Sequence, residues 1–211
     1  MFKELFVDTA DCQSGTIADI SVNITDGVHN TVKDDAEGKY LLLSCKNIKG
    51  GSLSIGANER KINKDTFDKL RKRTQLSKGD ILISSVGTVG EILLLNIDPS
   101  NIEFQRSVAM IKPNADLVSS AYVYESLIYR KSELINAAHG AVQQCLFLSD
   151  INEFPIDIPS KEKLDKFNSI ATHIFDKISA NQQENNNLAS LRDTLLPKLM
   201  NGEIDVSAVE I

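Results

Sequence analysis

Residues 161–200 read KEKLDKFNSIATHIFDKISANQQENNNLASLRDTLLPKLM, and alternating steps of three and four from Leu164 mark out one stripe. The stripe holds Leu164, Phe167, Ala171, Ile174, Ile178, Asn181, Asn185, Leu188, Arg192, Leu195 and Leu199. Eight of those eleven positions are apolar, with no proline before Pro197 and no glycine before Gly202, so the pattern predicts one continuous helix with a coiled-coil seam. From the first to the last seam residue such a helix spans on the order of 50 Å, more than a compact domain of this size needs for its own core. The seam therefore calls for a partner, and Asn181, Asn185 and Arg192 sit mid-stripe, where polar residues fix register and partner number at some cost in stability. The alternative is a long helix lying on its own domain.

Working outward, 211 residues make one domain of ordinary size with an appendage, and 42% apolar with 25% charged residues is the composition of a soluble globular protein. The longest apolar runs, such as Ile92 to Leu95, are too short to cross a bilayer, and MFKELFVDTADC lacks the form of a signal peptide, so a cytoplasmic location without membrane contact is expected. Cys12, Cys45 and Cys145 are far apart and lack paired spacing, the pattern of ordinary reduced thiols. The net charge is −6, but it is uneven. Residues 44–79 carry ten Lys and Arg against three acids, a net of +7 that leaves −13 for the rest. This implies either a basic face on an acidic body or charges that disperse over the folded surface.

In chain order, residues 1–38 are polar and turn-rich, and 25–38 have the composition of an exposed loop. KYLLLSCKNI (39–48) is a strand ending at a Gly50-Gly51 turn, followed by a short strand over 52–57. Asn63 caps a helix through Thr74 with Phe67 and Leu70 on one side. Strands are expected at 81–85 and 91–95, joined by a tight connection bracketed by Gly87 and Gly90, and at 105–112, stopped by Pro113. A helix should run from Ser119 to about Ala138, with Val123, Leu127, Leu134 and Ala138 inward and Gly140 closing it. A last strand covers 144–148, and Pro155 and Pro159 punctuate the boundary before the long helix. The expected architecture is α+β: an irregular mixed α/β domain over 1–158 and a coiled-coil helix with its tail over 159–211.

No catalytic constellation emerges. GTVG at 87–90 is too short for a phosphate-binding loop and lies between two strands. An Asn/Asp-Pro-Pro-aromatic run, of the kind amino-methyltransferases place around a flipped base, is missing from the sequence. His29, His139 and His173 are mutually remote and form no metal-ligand spacing, so neither a metal nor a cofactor is expected. Polar loop residues suited to base edges and phosphates are plentiful, since Arg and Lys match guanine, and Asn and Gln match adenine. By residue type and loop position the candidates for double-stranded DNA contact are His29, Asn30, Thr31 and Lys33; Lys46, Asn47 and Lys49; Arg60 and Lys61; Thr88; Gln105 and Arg106; and Gln143 and Gln144.

LASLRDTLLPKLMNGEIDVS (188–207) resembles the end of the specificity (S) subunits of type I restriction-modification systems. Leu191, Leu195 and Leu196, then Lys198-Leu199-Met200 and Gly202-Glu203-Ile204, stand where that family has them. DGVHNT (26–31), SCKNIKGG (44–51), LSKGDILISSVGTVG (76–90) and INEFPIDIP (151–159) are similar to its target-recognition domain, so nearly the whole chain is covered. A familiar S subunit has two recognition domains, each followed by a helix; this chain has one of each and looks like a half-length, separately encoded or truncated form. The resemblance implies DNA reading without catalysis: each domain reads one part of a split target in the major groove, and the helices dock methyltransferase (M) subunits and act as a ruler. The M subunits supply S-adenosylmethionine and the methyl transfer, and a motor-nuclease (R) subunit is an optional further member.

With one helix per chain, two copies can pair about a two-fold axis and read an inverted-repeat split site. The pairing surface expected for this homodimer is Leu164, Phe167, Ala171, Ile174, Ile178, Asn181, Asn185, Leu188 and Leu195. Two other readings compete. A free-standing nuclease or methyltransferase needs a carboxylate-metal cluster or cofactor loop. A regulatory decoy that occupies M subunits is distinguished by a neighbouring full-length S gene.

Overall fold

The computed structural model describes residues 2–7, 12–56, 58–140 and 143–204; Ala57 and the expected tail 205–211 lie outside them. By internal contacts the chain divides into two compact units, Met1–Thr172 and His173–Ile211. The elements in order are α1 (Phe2–Phe6), β1 (Cys12–Thr16), β2 (Ser21–Asp26), β3 (Tyr40–Leu43), β4 (Ile48–Lys49), β5 (Ser52–Leu53), β6 (Lys61–Ile62), α2 (Lys64–Thr74), β7 (Ile81–Ser84), β8 (Ile92–Leu94), β9 (Ile102–Phe104), β10 (Val108–Pro113), α3 (Ser120–Tyr129), α4 (Lys131–Asn136), α5 (Leu148–Asn152), β11 (Pro155–Pro159) and α6 (Lys161–Met200). Short 3-10 turns stand at Ala18–Ile20 and Cys45–Asn47. The class is the mixed α/β body with a long C-terminal helix that the sequence predicts.

The first unit is built on an antiparallel sheet of order β2-β10-β7-β8. β7 and β8 are near-continuous Ile and Leu, and β10 opens Val-Ala-Met-Ile, because both faces of these strands are covered. Leu82, Leu93 and Met110 lie in register and join Leu43, Phe104 and Val108 in one apolar cluster. The alternate residues Ile81, Ile83, Ile92 and Ile111 are equally buried, and α3 packs on β7 and β8. A second sheet, β6-β3-β9, pairs β3 with β9 in parallel. Helix α2 covers it: Phe67 stacks on Tyr40 at 4.3 Å between ring centres and clusters with Leu42 and Ile62. The Asn63 side chain accepts from the Thr66 N–H at 2.9 Å, the cap its position predicts. The hairpin β4–β5 turns on Gly50 (φ 55°) and Gly51 (φ 72°), left-handed values suited to glycine and to the twist of a two-residue hairpin.

Several elements differ from expectation, each for a non-local reason. Residues 1–38 are not only turns. β1 pairs antiparallel with β11, so Pro155–Pro159 is itself a strand as well as a boundary. β2 is an edge strand on β10, and β9 forms because β3 lies alongside it. The helix from Ser119 breaks at Arg130 (φ −101°, ψ 20°) into α3 and α4, where the guanidinium bonds Glu133 and the Pro155 carbonyl and covers the Phe154 ring at 4.9 Å. Val123, Leu127 and Leu134 are buried as expected, whereas Ala138 lies beyond α4 and is half-buried. In place of a strand over 144–148, Cys145 alone bridges Val86 and His139 before α5 begins.

Helix α6 opens within the first unit. Leu164, Phe167 and Ala171 are buried there, with Phe167 edge-on to Phe6 at 5.4 Å. In the second unit, described by itself, the seam is open: Ile174 is 48% exposed, Ile178 39% and Leu188 54%, Asn181 and Asn185 are exposed, and Leu195 is half-buried. The helix ends in a Schellman cap, with Gly202 at φ 73° donating to the Leu199 carbonyl and Glu203 to that of Lys198. Among the described residues no helix is long and apolar enough to cross a membrane.

Candidate nucleic-acid interface

Three chain segments converge at one rim of the first unit: the loop after β2, the β9–β10 turn and the stretch 143–148. Gly27 starts the first. An added Cβ there would lie 2.1 Å from the Phe104 carbonyl oxygen and 2.2 Å from that of Gln105, so only glycine lets the loop press onto β9. Val28 then bridges Gln105 in parallel fashion. The turn at 105–107 is held from every side. The Gln105 N–H donates to the Leu43 carbonyl at 2.8 Å, the Arg106 N–H to Val28 at 3.1 Å, and the Val108 N–H to Gln105 at 3.0 Å. The Ser85 N–H donates to the Ser107 carbonyl at 2.9 Å, and the Cys45 N–H to the Ser107 hydroxyl at 3.1 Å.

Between these segments lies a cleft of about 350 Å³ lined by Asp26, His29, Ser85, Val86, Arg106, Gln143, Cys145, Leu146, Phe147 and Leu148. Three of the sequence candidates, His29, Arg106 and Gln143, thus share one cavity, although they lie on segments far apart in the chain. The acid in its wall is compensated: Asp26 takes His29 Nε2 at 2.6 Å and lies 3.4 Å from Arg73 Nη1. Phe147 is half exposed at the rim and stacks on the His139 ring at 5.3 Å, while His139 Nε2 lies 3.1 Å from Asp150.

Other candidates sit elsewhere. Asn47 is 2% exposed, and its amide donates to the Ser54 carbonyl and Glu59 while accepting from the Ser44 N–H. It closes the Cys45–Asn47 turn and has no edge to offer a base, which removes it from the contact set. Lys46 reaches Glu59 at 3.0 Å. Burial pushes the Glu59 carboxyl up, but hydrogen bonds from Lys46, Asn47 and the Gly56 N–H outweigh this and hold it below its usual range. Lys49 is exposed on the β4–β5 hairpin, and Lys61 on β6. Arg60 is bound to the Val32 carbonyl and Asp34, so it shapes the first loop from outside. Asn30, Thr31 and Lys33 are exposed on that loop; Thr88 is exposed at the Gly87–Gly90 turn, Gln144 beside Gln143, and Gln105 is half-buried.

Arg73 escaped sequence reasoning. Its Nη2 donates to the carbonyls of Asp26 (2.8 Å) and Gly27 (2.5 Å), fixing the base of the first loop from α2. No local signal announces a partner 46 residues away. Phe147 did carry one, a lone aromatic following the polar Gln143-Gln144 pair. Among the described residues no cluster of His, Cys, Asp and Glu could hold a metal ion, so the arrangement offers planar donors and an aromatic edge.

Comparison with known proteins places the chain among specificity subunits and their domains. The chain is 27% identical over 184 residues to the type I restriction enzyme EcoBI specificity subunit of Escherichia coli, covering 84% of this chain and 38% of that protein. It is 32% identical over 112 residues to the type I restriction enzyme MjaIX specificity subunit of Methanocaldococcus jannaschii, covering 53% and 26%. The chain thus spans well under half the length of these curated relatives. The fold matches the crystal structure of the HsdS subunit from Thermoanaerobacter tengcongensis with a TM-score of 0.54 at 17% identity, over 96% of this chain and 49% of that one. Residues 11–190 match the type I restriction modification DNA specificity domain, and the chain belongs to that family.

Proposed function

We propose that the chain reads one part of a split double-stranded DNA target in the major groove and docks methyltransferase (M) subunits through α6, with no catalytic step of its own. S-adenosylmethionine and the methyl transfer belong to the M subunit in the cytoplasm, where an R subunit is an optional addition. Residues 1–158 are the reading domain and 159–211 the pairing and docking segment. The observation that carries the DNA-reading part is the convergence of His29, Arg106 and Gln143 on one cleft with a neutralised acid in its wall. Three polar side chains from three segments are the chemistry of base-edge readout.

Two copies pair through the seam from Ile174 onward. Leu164, Phe167 and Ala171 are already covered by their own chain, which takes them out of the pairing surface, and Ile174, Ile178, Leu188 and the mid-seam Asn181 and Asn185 remain for a second copy. Identical readers on a two-fold axis select an inverted repeat. Co-expression with an M subunit, followed by genome-wide mapping of methylated adenines, tests this. A split, symmetric motif that depends on this chain supports it, and methylation indifferent to the chain refutes it. Because the net charge is −6, phosphate attraction comes mainly from the partner, and the isolated chain binds DNA feebly.

A further inference from the structure

The chain has six arginines. Five guanidiniums are engaged: Arg60 on Asp34 and the Val32 carbonyl, Arg71 on Glu103, Arg73 on the Asp26 and Gly27 carbonyls, Arg130 on Glu133, and Arg192 on Asp193. Among the described residues Arg106 is the one whose guanidinium has no hydrogen-bond or ion-pair partner, and it is exposed in the wall of the 350 Å³ cleft. Its backbone is the opposite of free. Its N–H is bound to Val28 and its carbonyl accepts from the Ser85 hydroxyl at 3.3 Å, and both neighbours in the turn are tied to β3, to the Cys45 segment and to the residue after β7. A fixed base under an uncommitted planar fork is a preorganised donor, because little backbone entropy is lost when it binds.

A planar fork matches two chemistries in DNA: the O6 and N7 edge of guanine and a phosphate. The surroundings favour the base edge. Gln143 supplies an amide in the same cleft, and Val86, Leu146 and the exposed Phe147 supply apolar contact, whereas a phosphate site would gather further cations or free backbone N–H groups. The backbone N–H groups of Gln105 and Arg106 are already used, so they have nothing to offer a phosphate oxygen.

We propose that Arg106 is a specificity-determining residue that reads a guanine through its O6 and N7, with Gln143 and Phe147 contacting the neighbouring base pair. This rests on the DNA-reading role proposed above. It also fixes the form of the target: each half-site contains a G·C pair at the Arg106 position, and in a paired reader that pair recurs symmetrically in the other half.

The test uses the full chain co-expressed with an M subunit, as wild type, Arg106→Ala and Arg106→Gln, with methylated adenines mapped across the host genome. Duplexes in which the assigned G·C pair is replaced by A·T are then methylated in vitro. The expected result is a wild-type motif with one G·C pair in each half that Arg106→Ala leaves unspecified at both symmetric positions. Preference for G·C over A·T there should fall roughly tenfold to a hundredfold while every other position stays unchanged. If Arg106→Ala methylates too little to define a motif, Arg106→Gln decides: a motif relaxed at that pair or moved to A·T supports the proposal, and a full motif overturns it, because Gln matches adenine rather than guanine. A uniform drop in methylation with the motif intact assigns Arg106 to a phosphate and overturns the proposal, as does an unaltered motif. If the wild-type chain directs no motif at all, the DNA-reading role itself fails, and the proposal with it.

Discussion

Replacing Arg71 by Ala should be among the most costly single changes in the first unit, and the cost should depend on pH. Glu103 on β9 has a fully buried carboxylate, met by Arg71 Nε at 2.5 Å and by the Thr74 hydroxyl at 3.0 Å. Arg71 further donates to the carbonyls of Leu76, Pro99 and Ile102 and lies over the Phe67 ring at 4.8 Å. Removing it strands a buried charge and three carbonyls, a loss of about 3–5 kcal/mol from a total that for domains is about 5–15 kcal/mol. Burial pushes the Glu103 carboxyl above its usual 4.5, against the pull of Arg71 and Thr74. A carboxyl raised in the folded state binds protons that the unfolded chain has released, so its stabilising contribution is whole below the unfolded value and is lost as pH rises through the folded one. Without Arg71 the carboxyl moves higher still, and the gap between variant and wild type should widen as pH rises above the unfolded value of 4.5. The chain has no tryptophan, so urea unfolding is followed by far-ultraviolet circular dichroism. Glu103→Gln in the Arg71→Ala background removes the stranded charge and should recover part of the loss. A cost under about 1 kcal/mol, the scale of an exposed ion pair, or one unaffected by pH and by Glu103→Gln, would refute the reasoning.

Ile178→Asp and Leu188→Asp should each weaken pairing by on the order of several kcal/mol by placing a charge in a packed seam. Because both side chains are exposed in the single chain, its melting in the dissociated state should barely change; sedimentation that stays at twice the 23.2 kDa chain mass for both variants would count against the seam. Gly27→Ala should destabilise by about 1–3 kcal/mol, because its Cβ collides with backbone on β9 rather than with a yielding side chain, and hydrogen exchange at Val28 and Arg106 should speed up. Gly90→Ala meets both a positive φ of 87° and Ile135 Cγ1 at 2.4 Å, and a comparable loss is expected in thermal melts. Glu59, held below its usual carboxyl value by Lys46, Asn47 and Gly56 despite burial, contributes stability above the unfolded value of 4.5 that is lost as pH falls; Glu59→Gln should flatten that acid limb, and an unchanged limb would discount the Lys46 pair.

The elements legible in the sequence are those whose causes are local. The α6 seam, the Asn63 cap, the Gly50-Gly51 hairpin and the Gly87–Gly90 connection each follow from residues within a few positions of one another. What was not legible depends on distant partners. β1 has the sequence CQSGT, with no apolar alternation, and is a strand because β11 supplies its ladder from the far end of the chain. β2 sits at a sheet edge, where Asn23 and Thr25 dilute the pattern. The candidate site shows the same division. Residue type put His29, Arg106 and Gln143 among the candidates without bringing them together, which only the fold does, and gave no warning that Asn47 is internal, because an amide that closes a turn and one that meets solvent look alike in sequence.

The arginines explain how an acidic chain can present a reading surface. Arg60 and Arg73 clamp the first loop at its two ends, through the carbonyls of Val32, Asp26 and Gly27, and Arg71 locks α2 to β9, from which the 105–107 turn emerges. These three act on the backbone that frames the cleft rather than on anything entering it. Three of the ten basic residues in 44–79 are therefore structural, used to fix loops and strands through acidic neighbours outside that segment. A surface organised this way gains selectivity from rigid placement of a few donors and little from net charge, in keeping with the proposed division in which a partner supplies the phosphate attraction. Changing a clamp should then alter which sequence is chosen more than how tightly DNA is held.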